Sequence, residues 1–126
     1  MRILLDTHVV LWQLEGTRTV GPRAQRAIEQ ATELLFSVVS FAEIGVKAAI
    51  GRLTVPGDLG EHIVHSGLRM LGLTAEHGLA VAGLPLHHRD PFDRLLIAQA
   101  RSEGLTLLTA DARMNDYEVA LISATC

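Results

Sequence analysis

Short runs of consecutive apolar residues alternate along this chain with longer stretches in which apolar positions recur every three or four residues. The short runs predict strands buried on both faces, and the longer stretches predict amphipathic helices. Ile3-Leu4-Leu5 marks a strand over residues 2–6, and Val10, Leu11 and Leu14 lie on one side of a helix over 7–15. Gly21-Pro22 opens a second helix reaching to about Thr32, with the proline in the first turn, where a helix tolerates it. A strand over 34–39 leads into a helix from Ser40 to Ile50 that Gly51 ends. After a turn at Pro56-Gly57 come a helix around 58–67, a strand over 69–73, and a helix from Ala75 to Ala82 closed by Gly83-Leu84-Pro85. The polar loop His87-His88-Arg89 precedes a helix from Pro91 to Glu103, which Gly104 ends. A strand over 105–109, a short helix near 111–116 and a strand over 118–123 complete the pattern. Strands alternating with helices predict an α/β fold, a parallel sheet covered on both faces. No internal repeat, low-complexity tract or linker interrupts it, so one domain over residues 1–126 is expected.

Carboxylates recur at the openings of these helices. Ile3-Leu4-Leu5 runs into Asp6-Thr7, and Leu34-Leu35-Phe36-Ser37-Val38-Val39 into Ser40-Phe41-Ala42-Glu43. Asp90-Pro91-Phe92-Asp93 opens the stretch Leu95-Leu96-Ile97-Ala98, and Leu105-Thr106-Leu107-Leu108 runs into Thr109-Ala110-Asp111. In a parallel sheet all strand carboxyl ends lie on one edge, where ligands bind, so acids distant in sequence can converge there. Four such acids with no counter-ion form a site for hard divalent ions.

Composition changes this picture little. Hydrophobic residues make up 48% of the chain, as buried strands require, and no apolar run approaches the ~20 residues of a membrane span. Asp6 interrupts the first apolar run too early for a signal-peptide core, and the single cysteine, Cys126, has no partner. A cytoplasmic protein is expected. The net charge of −3 gives no global attraction to nucleic acid, yet a nuclease is compatible with it because a metal neutralises its own acids. Lys47 is the only lysine among the basic residues, a bias that a GC-rich genome explains better than phosphate binding does.

Each acid taken alone has a structural explanation. Asp6-Thr7 could cap a helix, and Ser40 with Glu43 matches a capping box. Asp90 could be an N-cap with Asp93 as a first-turn acid, and Thr109 or Asp111 could cap the last short helix. Capping, however, is served equally by Ser, Thr or Asn, and the openings at Gly21-Pro22 and Thr74-Ala75 do without a carboxylate. The set therefore favours a metal site of the kind that hydrolyses phosphodiesters. Other arrangements fit less well. A Gly-x-Ser-x-Gly elbow and a phosphate-cradling Gly-x4-Gly-Lys-Ser/Thr loop are both absent, and Lys47 is misplaced for a phosphoaspartate receiver. A haloacid-dehalogenase-type phosphatase would need an aspartate where His8 stands. His62 and His65 read as a solvated helix face, His87-His88 as a polar loop and Trp12 as core.

The same segments carry a family likeness. Leu4-Leu5-Asp6-Thr7-His8-Val9, Ser40-Phe41-Ala42-Glu43-Ile44, Arg89-Asp90-Pro91-Phe92-Asp93-Arg94-Leu95-Leu96-Ile97-Ala98-Gln99-Ala100 and Leu107-Leu108-Thr109-Ala110-Asp111 resemble a PIN domain, more narrowly a VapC-type toxin ribonuclease. The third segment is the most specific, and the likeness covers essentially the whole chain. It implies a PIN-like three-layer α/β/α sandwich with a five-stranded parallel sheet and acids around a Mg²⁺ or Mn²⁺ pocket. It further implies endoribonuclease activity by metal-activated water, homodimerisation, and inhibition by a cognate VapB-like antitoxin. Asp6, Glu43, Asp93 and Asp111 match the family's acidic quartet, and Thr7 and Thr109 match supporting polar residues.

One stretch departs from the pattern. The family usually carries an aromatic residue three positions past the last aspartate; here that position is Met114, which makes Asp116 an alternative fourth acid. Asp90 is an extra acid, read as a cap with a possible place near the site. In the mechanism so implied, Asp6 and Asp93 hold the metal, Glu43 ligates it or orients a water, and Asp111 completes the cluster or helps bind a second ion. Arg94 meets a phosphate or braces a carboxylate, bracing being favoured because an arginine among acids lowers their pKa. An acid pocket also invites an arginine of the antitoxin onto Asp6, Glu43 and Asp93, with the rest of the inhibitor on apolar surface near Trp12 and the 40–50 helix. Two rival readings remain: a PIN-domain RNA-processing nuclease with no toxin role, and a non-catalytic PIN-like interaction module.

Overall fold

The computed structural model describes residues 1–16, 18–55, 57–87 and 90–125. The chain runs through β1 (Arg2–Leu5), α1 (Thr7–Glu15), α2 (Pro22–Gln30), β2 (Glu33–Ser37), α3 (Val38–Ala49) and α4 (Leu59–His65). It continues through β3 (Arg69–Leu71), α5 (Ala75–Ala80), a 3₁₀ turn (Val81–Gly83), α6 (Pro91–Glu103), β4 (Thr106–Thr109), a 3₁₀ segment (Ala112–Asp116) and β5 (Leu121–Ser123). All strand pairs are parallel, in the order β3-β2-β1-β4-β5. The chain builds outward from β1 on one side, then returns to lay β4 and β5 on the other. The crevice beyond β1 and β4 is therefore the topological switch point.

Side-chain alternation along the strands divides the core into two layers. Ile3 and Leu5 of β1, Phe36 of β2 and Leu108 of β4 face a layer with Val9 and Val10 of α1, Ala24 of α2, and Leu59 and Ile63 of α4. Leu4, Leu35 and Leu107 face the opposite layer with Leu96, Ile97 and Ala100 of α6. Helices thus cover both faces, as the fully apolar strands require, and the three-layer α/β/α arrangement with five parallel strands is as expected. Met114, standing where the family carries an aromatic residue, is wholly buried in the second layer beside Tyr117 and fills that space with a thioether. Among the described residues no helix is long and apolar enough to cross a membrane.

Several boundaries differ from the pattern-based reading, for local reasons. The strand predicted over 34–39 ends at Ser37, whose Oγ accepts from Val39 N at 3.0 Å and caps α3. Helix α3 thus starts before Ser40, and the supposed Ser40–Glu43 capping box does not form. The true capping box is at Thr74, where His77 Nδ1 accepts from the Thr74 backbone N–H and Thr74 Oγ1 accepts from the backbone N–H of His77. The strands predicted over 69–73 and 118–123 shrink to three residues each, because β3 and β5 are edge strands with one pairing neighbour. Helix α5 tightens into a 3₁₀ turn at Val81, and Leu14, placed on the apolar side of α1, is 40% exposed. Pro56 of the predicted turn, His88 and Arg89 of the polar loop, and Cys126 lie outside the described residues.

Candidate active site

Asp6 follows the last residue of β1, and its backbone N–H donates to Leu108 O of β4 at 3.0 Å, pinning it at the switch point. It occupies the N-cap position of α1 but makes no side-chain cap bond. Its Oδ2 instead accepts from Thr109 Oγ1 at 2.6 Å, across the junction of β1 and β4. Its Oδ1 is buried without a hydrogen-bond partner among the described residues. An orphaned buried acceptor costs about 1–3 kcal/mol, so folding places this atom there against local preference. Burial, opposed chiefly by the Thr109 hydrogen bond, pushes the Asp6 carboxyl up.

Asp93 lies in the first turn of α6, 7% exposed, beneath an N-cap that Asp90 provides. Asp90 Oδ1 accepts from Phe92 N at 2.9 Å and Asp93 N at 3.3 Å. The cap reading of Asp90 is therefore correct, and its charge also reaches the site. Burial, then the charges of Asp6, Asp90, Glu43 and Asp111, push the Asp93 carboxyl up to about 8. The five carboxylates thus share one electrostatic neighbourhood, although they come from the residue after β1, from α3, from the start of α6 and from the turn after β4.

Glu43 is buried on α3 and points inward rather than back to its helix start. Thr7 Oγ1 lies 2.8 Å from Glu43 Oε1 and 2.6 Å from Ser40 Oγ. A carboxylate can only accept, so the single Thr7 proton goes to Glu43 and the Ser40 hydroxyl supplies its own to Thr7. Asp111 caps the last 3₁₀ segment by accepting from Arg113 N at 3.0 Å, and Thr109 Oγ1 accepts from Asp111 N at 3.1 Å. A cavity of about 280 Å³ is lined by Asp6, Glu43, Asp90, Asp93 and Asp111, with Trp12 and His8 at its side. Asp116, the alternative fourth acid, is exposed at the end of its segment and does not line this cavity.

The expectation of acids without a counter-ion is corrected. Lys47 Nζ meets Glu43 Oε2 at 2.5 Å, and Arg113 grips both Asp111 oxygens, with Nη2 2.7 Å from Oδ2 and Nε 3.0 Å from Oδ1. Burial pulls the Lys47 ammonium down, but the hydrogen bond and charge of Glu43, with Asp90 and Asp93, lift it overall. Both cations had a sequence signal: Lys47 stands one helical turn after Glu43, and Arg113 two residues after Asp111. Trp12 is half-buried at the margin of the core, with the Arg18 guanidinium 4.5 Å from its ring centroid. His62 pairs with Asp58 at 2.9 Å on an exposed face, as a solvated histidine does.

Arg94 takes neither role expected of it. Its guanidinium turns away from the acids and donates to Pro85 O (2.8 Å), Tyr117 Oη (3.1 Å), Val81 O (3.2 Å) and Leu84 O (3.3 Å). Helical geometry explains this, because residues i and i+1 of a helix point about 100° apart and Asp93 already occupies the pocket side. Arg94 thus ties the 81–85 turn to α6. Arg94→Ala should cost about 2–4 kcal/mol in urea unfolding by leaving buried carbonyls unpaired, while divalent-ion binding persists in the folded fraction.

The donor set suits a hard cation. All the candidate ligands are carboxylate oxygens, Asp6 Oδ1 is an acceptor with no donor among the described residues, and burial together with the neighbouring negative charges lifts the Asp93 carboxyl to about 8. Among the described residues no three His, Cys, Asp or Glu side chains are already gathered at ligating geometry, since Glu43 and Asp111 are drawn to Lys47 and Arg113.

The PIN domain model matches residues 3–120. The chain is 31% identical over 123 residues to Ribonuclease VapC22 of Mycobacterium tuberculosis, covering 91% of each. Its fold is similar to VapBC2 of Rickettsia felis bound to a promoter DNA fragment, with a TM-score of 0.74 at 14% identity over 98% of each chain. It is similar also to FitAcB of Neisseria gonorrhoeae, with a TM-score of 0.65 at 22% identity over 95% of this chain and 96% of that one. With the family model spanning nearly the whole sequence, and a relative matched over 91% of each chain behind it, the chain belongs to the PIN domain family.

Proposed function

We propose that this chain is a Mg²⁺- or Mn²⁺-dependent endoribonuclease, the toxin of a VapBC-type pair. The observation that carries the reading is the buried Asp6–Asp93 couple at the switch point: a carboxylate oxygen with no partner among the described residues, and a carboxyl whose ionisation burial and its acidic neighbours oppose. A divalent cation bound there supplies Lewis-acid polarisation of a phosphate and lowers the pKa of a water. Asp6 and Asp93 would hold it, and Thr109 fixes the orientation of Asp6 through Oδ2. Glu43, braced by Thr7, orients the incoming water or accepts its proton; Asp111 closes the far side of the cavity. Similarity to Ribonuclease VapC22 supports RNA as the substrate, and similarity to VapBC complexes supports a VapB-like antitoxin.

Beside the acids, a groove of about 270 Å³ is lined by Leu11, Ile44 and Leu53 together with Thr7, His8, Glu43, Lys47 and Arg52, and outside it Val46 and Ile50 of α3 are exposed. An inhibitory segment of the antitoxin would lie along this mixed surface, leading a basic side chain to Asp6 and Asp93. The test is incubation of the purified protein with end-labelled single-stranded RNA. Internal cleavage should appear with Mg²⁺ or Mn²⁺ and stop with a chelator or the cognate antitoxin. Cleavage at an unchanged rate in excess chelator refutes the metal reading.

A further inference from the structure

Two of the acids in this pocket already have cations of the protein's own, and the way they are held bears on how many metal ions the site takes. Both oxygens of Glu43 are engaged, Oε1 by Thr7 and Oε2 by the Lys47 ammonium at 2.5 Å. Both oxygens of Asp111 are engaged by Arg113, through the backbone N–H, Nε and Nη2. Among the described residues Asp6 and Asp93 have no such partner: Asp6 Oδ1 is buried with no donor, and no basic side chain forms an ion pair with either carboxylate. The unmet demand for positive charge is thus confined to one side of the cavity. From this division we infer that Lys47 and Arg113 are resident counter-ions standing in place of a second divalent cation, so that the pocket takes a single ion at Asp6 and Asp93.

The inference rests on the reading of this pocket as a metal site and adds its stoichiometry and two positioning residues. Lys47 is suited to the part because its stem runs along α3 while its head enters the cavity one turn beyond Glu43, and it is only 28% exposed. There it lies within the field of Asp90 and Asp93 as well as Glu43, so it neutralises the interior of the cluster. Arg113, more exposed, neutralises the rim. A fixed ammonium close to a dication repels it, and Coulomb's law over the width of such a cavity makes that repulsion worth on the order of tenfold in affinity even in water-like dielectric. Resident cations therefore weaken the metal while sparing the site a second one.

The test is calorimetric titration with Mn²⁺, without RNA, of the wild type, Lys47→Gln, Lys47→Arg and the double variant Lys47→Gln/Arg113→Gln, each shown to be folded by circular dichroism. One ion per chain is expected for the wild type. Lys47→Gln should bind it about tenfold more tightly, Lys47→Arg should behave as the wild type because the charge is kept, and the double variant should admit a second ion. Two ions in the wild type overturn the inference and leave the metal reading standing. So does a single ion whose affinity and stoichiometry are unchanged or weakened when the cations are removed. Absence of binding in all four proteins overturns the metal reading itself, and the inference falls with it.

Discussion

Asp93→Asn is expected to abolish RNA cleavage, lowering kcat/KM at least a thousandfold, and yet to leave the metal-free protein no less stable than the wild type. The two effects have one cause. Asp93 sits buried among Asp6, Asp90, Glu43 and Asp111 with its carboxyl pushed up to about 8, so its ionisation opposes the fold whenever no cation is bound. An amide keeps the shape and removes the ionisable group, together with one of the two carboxylates left to hold a divalent ion; losing that ion forfeits several kcal/mol of transition-state stabilisation. Each kcal/mol of relieved repulsion should raise the metal-free melting temperature by about 4 °C at this chain length. Asp6→Asn should share the loss of cleavage, its amide oxygen still accepting from Thr109. Cleavage by either variant at the wild-type rate, measured at saturating Mg²⁺, would remove that residue from the metal site.

The second large effect is the coupling of pH, metal and stability. The Asp93 carboxyl has an ordinary value of 3.8 and is lifted to about 8 in the fold, by burial first and then by Asp6, Asp90, Glu43 and Asp111. Between those two values the folded protein keeps a proton that the unfolded chain has lost. Stability changes with pH in proportion to the protons bound by the unfolded state minus those bound by the folded one, and that difference is negative here. The contribution of Asp93 to metal-free stability is therefore full below pH 4, declines as pH rises to about 8, and is flat beyond.

A divalent ion requires the ionised carboxylate, so it reverses the relation. Its affinity should climb by up to about tenfold per pH unit until pH 8, with close to one proton released per ion bound below that. Its stabilisation by mass action grows accordingly. Thermal unfolding from pH 5 to 9, in chelator and in Mg²⁺, for wild type and Asp93→Asn, isolates the effect as the difference between the two proteins. A metal-free difference that does not change across this range would show that Asp93 titrates as an ordinary carboxyl.

Much of the fold was legible because its signals are local. The α6 helix, opened by Asp90-Pro91 and ended by Gly104 in the left-handed region at φ +65°, has the bounds that its own residues predict. The strands β1, β2 and β4 announce themselves as apolar runs because they pair on both edges and are buried on both faces. Where a boundary depended on a partner, local reading failed. The Ser37 hydroxyl caps α3 while donating to Gln99 of α6 at 2.5 Å, and nothing within 34–43 shows that Gln99 is there. The edge strands β3 and β5 are short because each has one neighbour, a property of the sheet rather than of their residues.

The candidate site divides in the same way. The sequence by itself indicated that Asp6, Glu43 and Asp93 converge, because a parallel sheet sends every strand's carboxyl end to one edge, and left the fourth acid between Asp111 and Asp116; in the structure Asp111 lines the cavity with the other three. It likewise identified the Asp90 cap and the polar supports Thr7 and Thr109, whose hydroxyls reach Glu43 and Asp6. Only the tertiary structure decided where the cations go. Arg94, adjacent to Asp93 in sequence, is turned by the helix into the carbonyls of residues 81–85, whereas Lys47 and Arg113 enter the acid pocket. The physical reason is that backbone topology places a residue at an edge, while the direction of a long charged side chain is set by which unpaired groups lie within its reach.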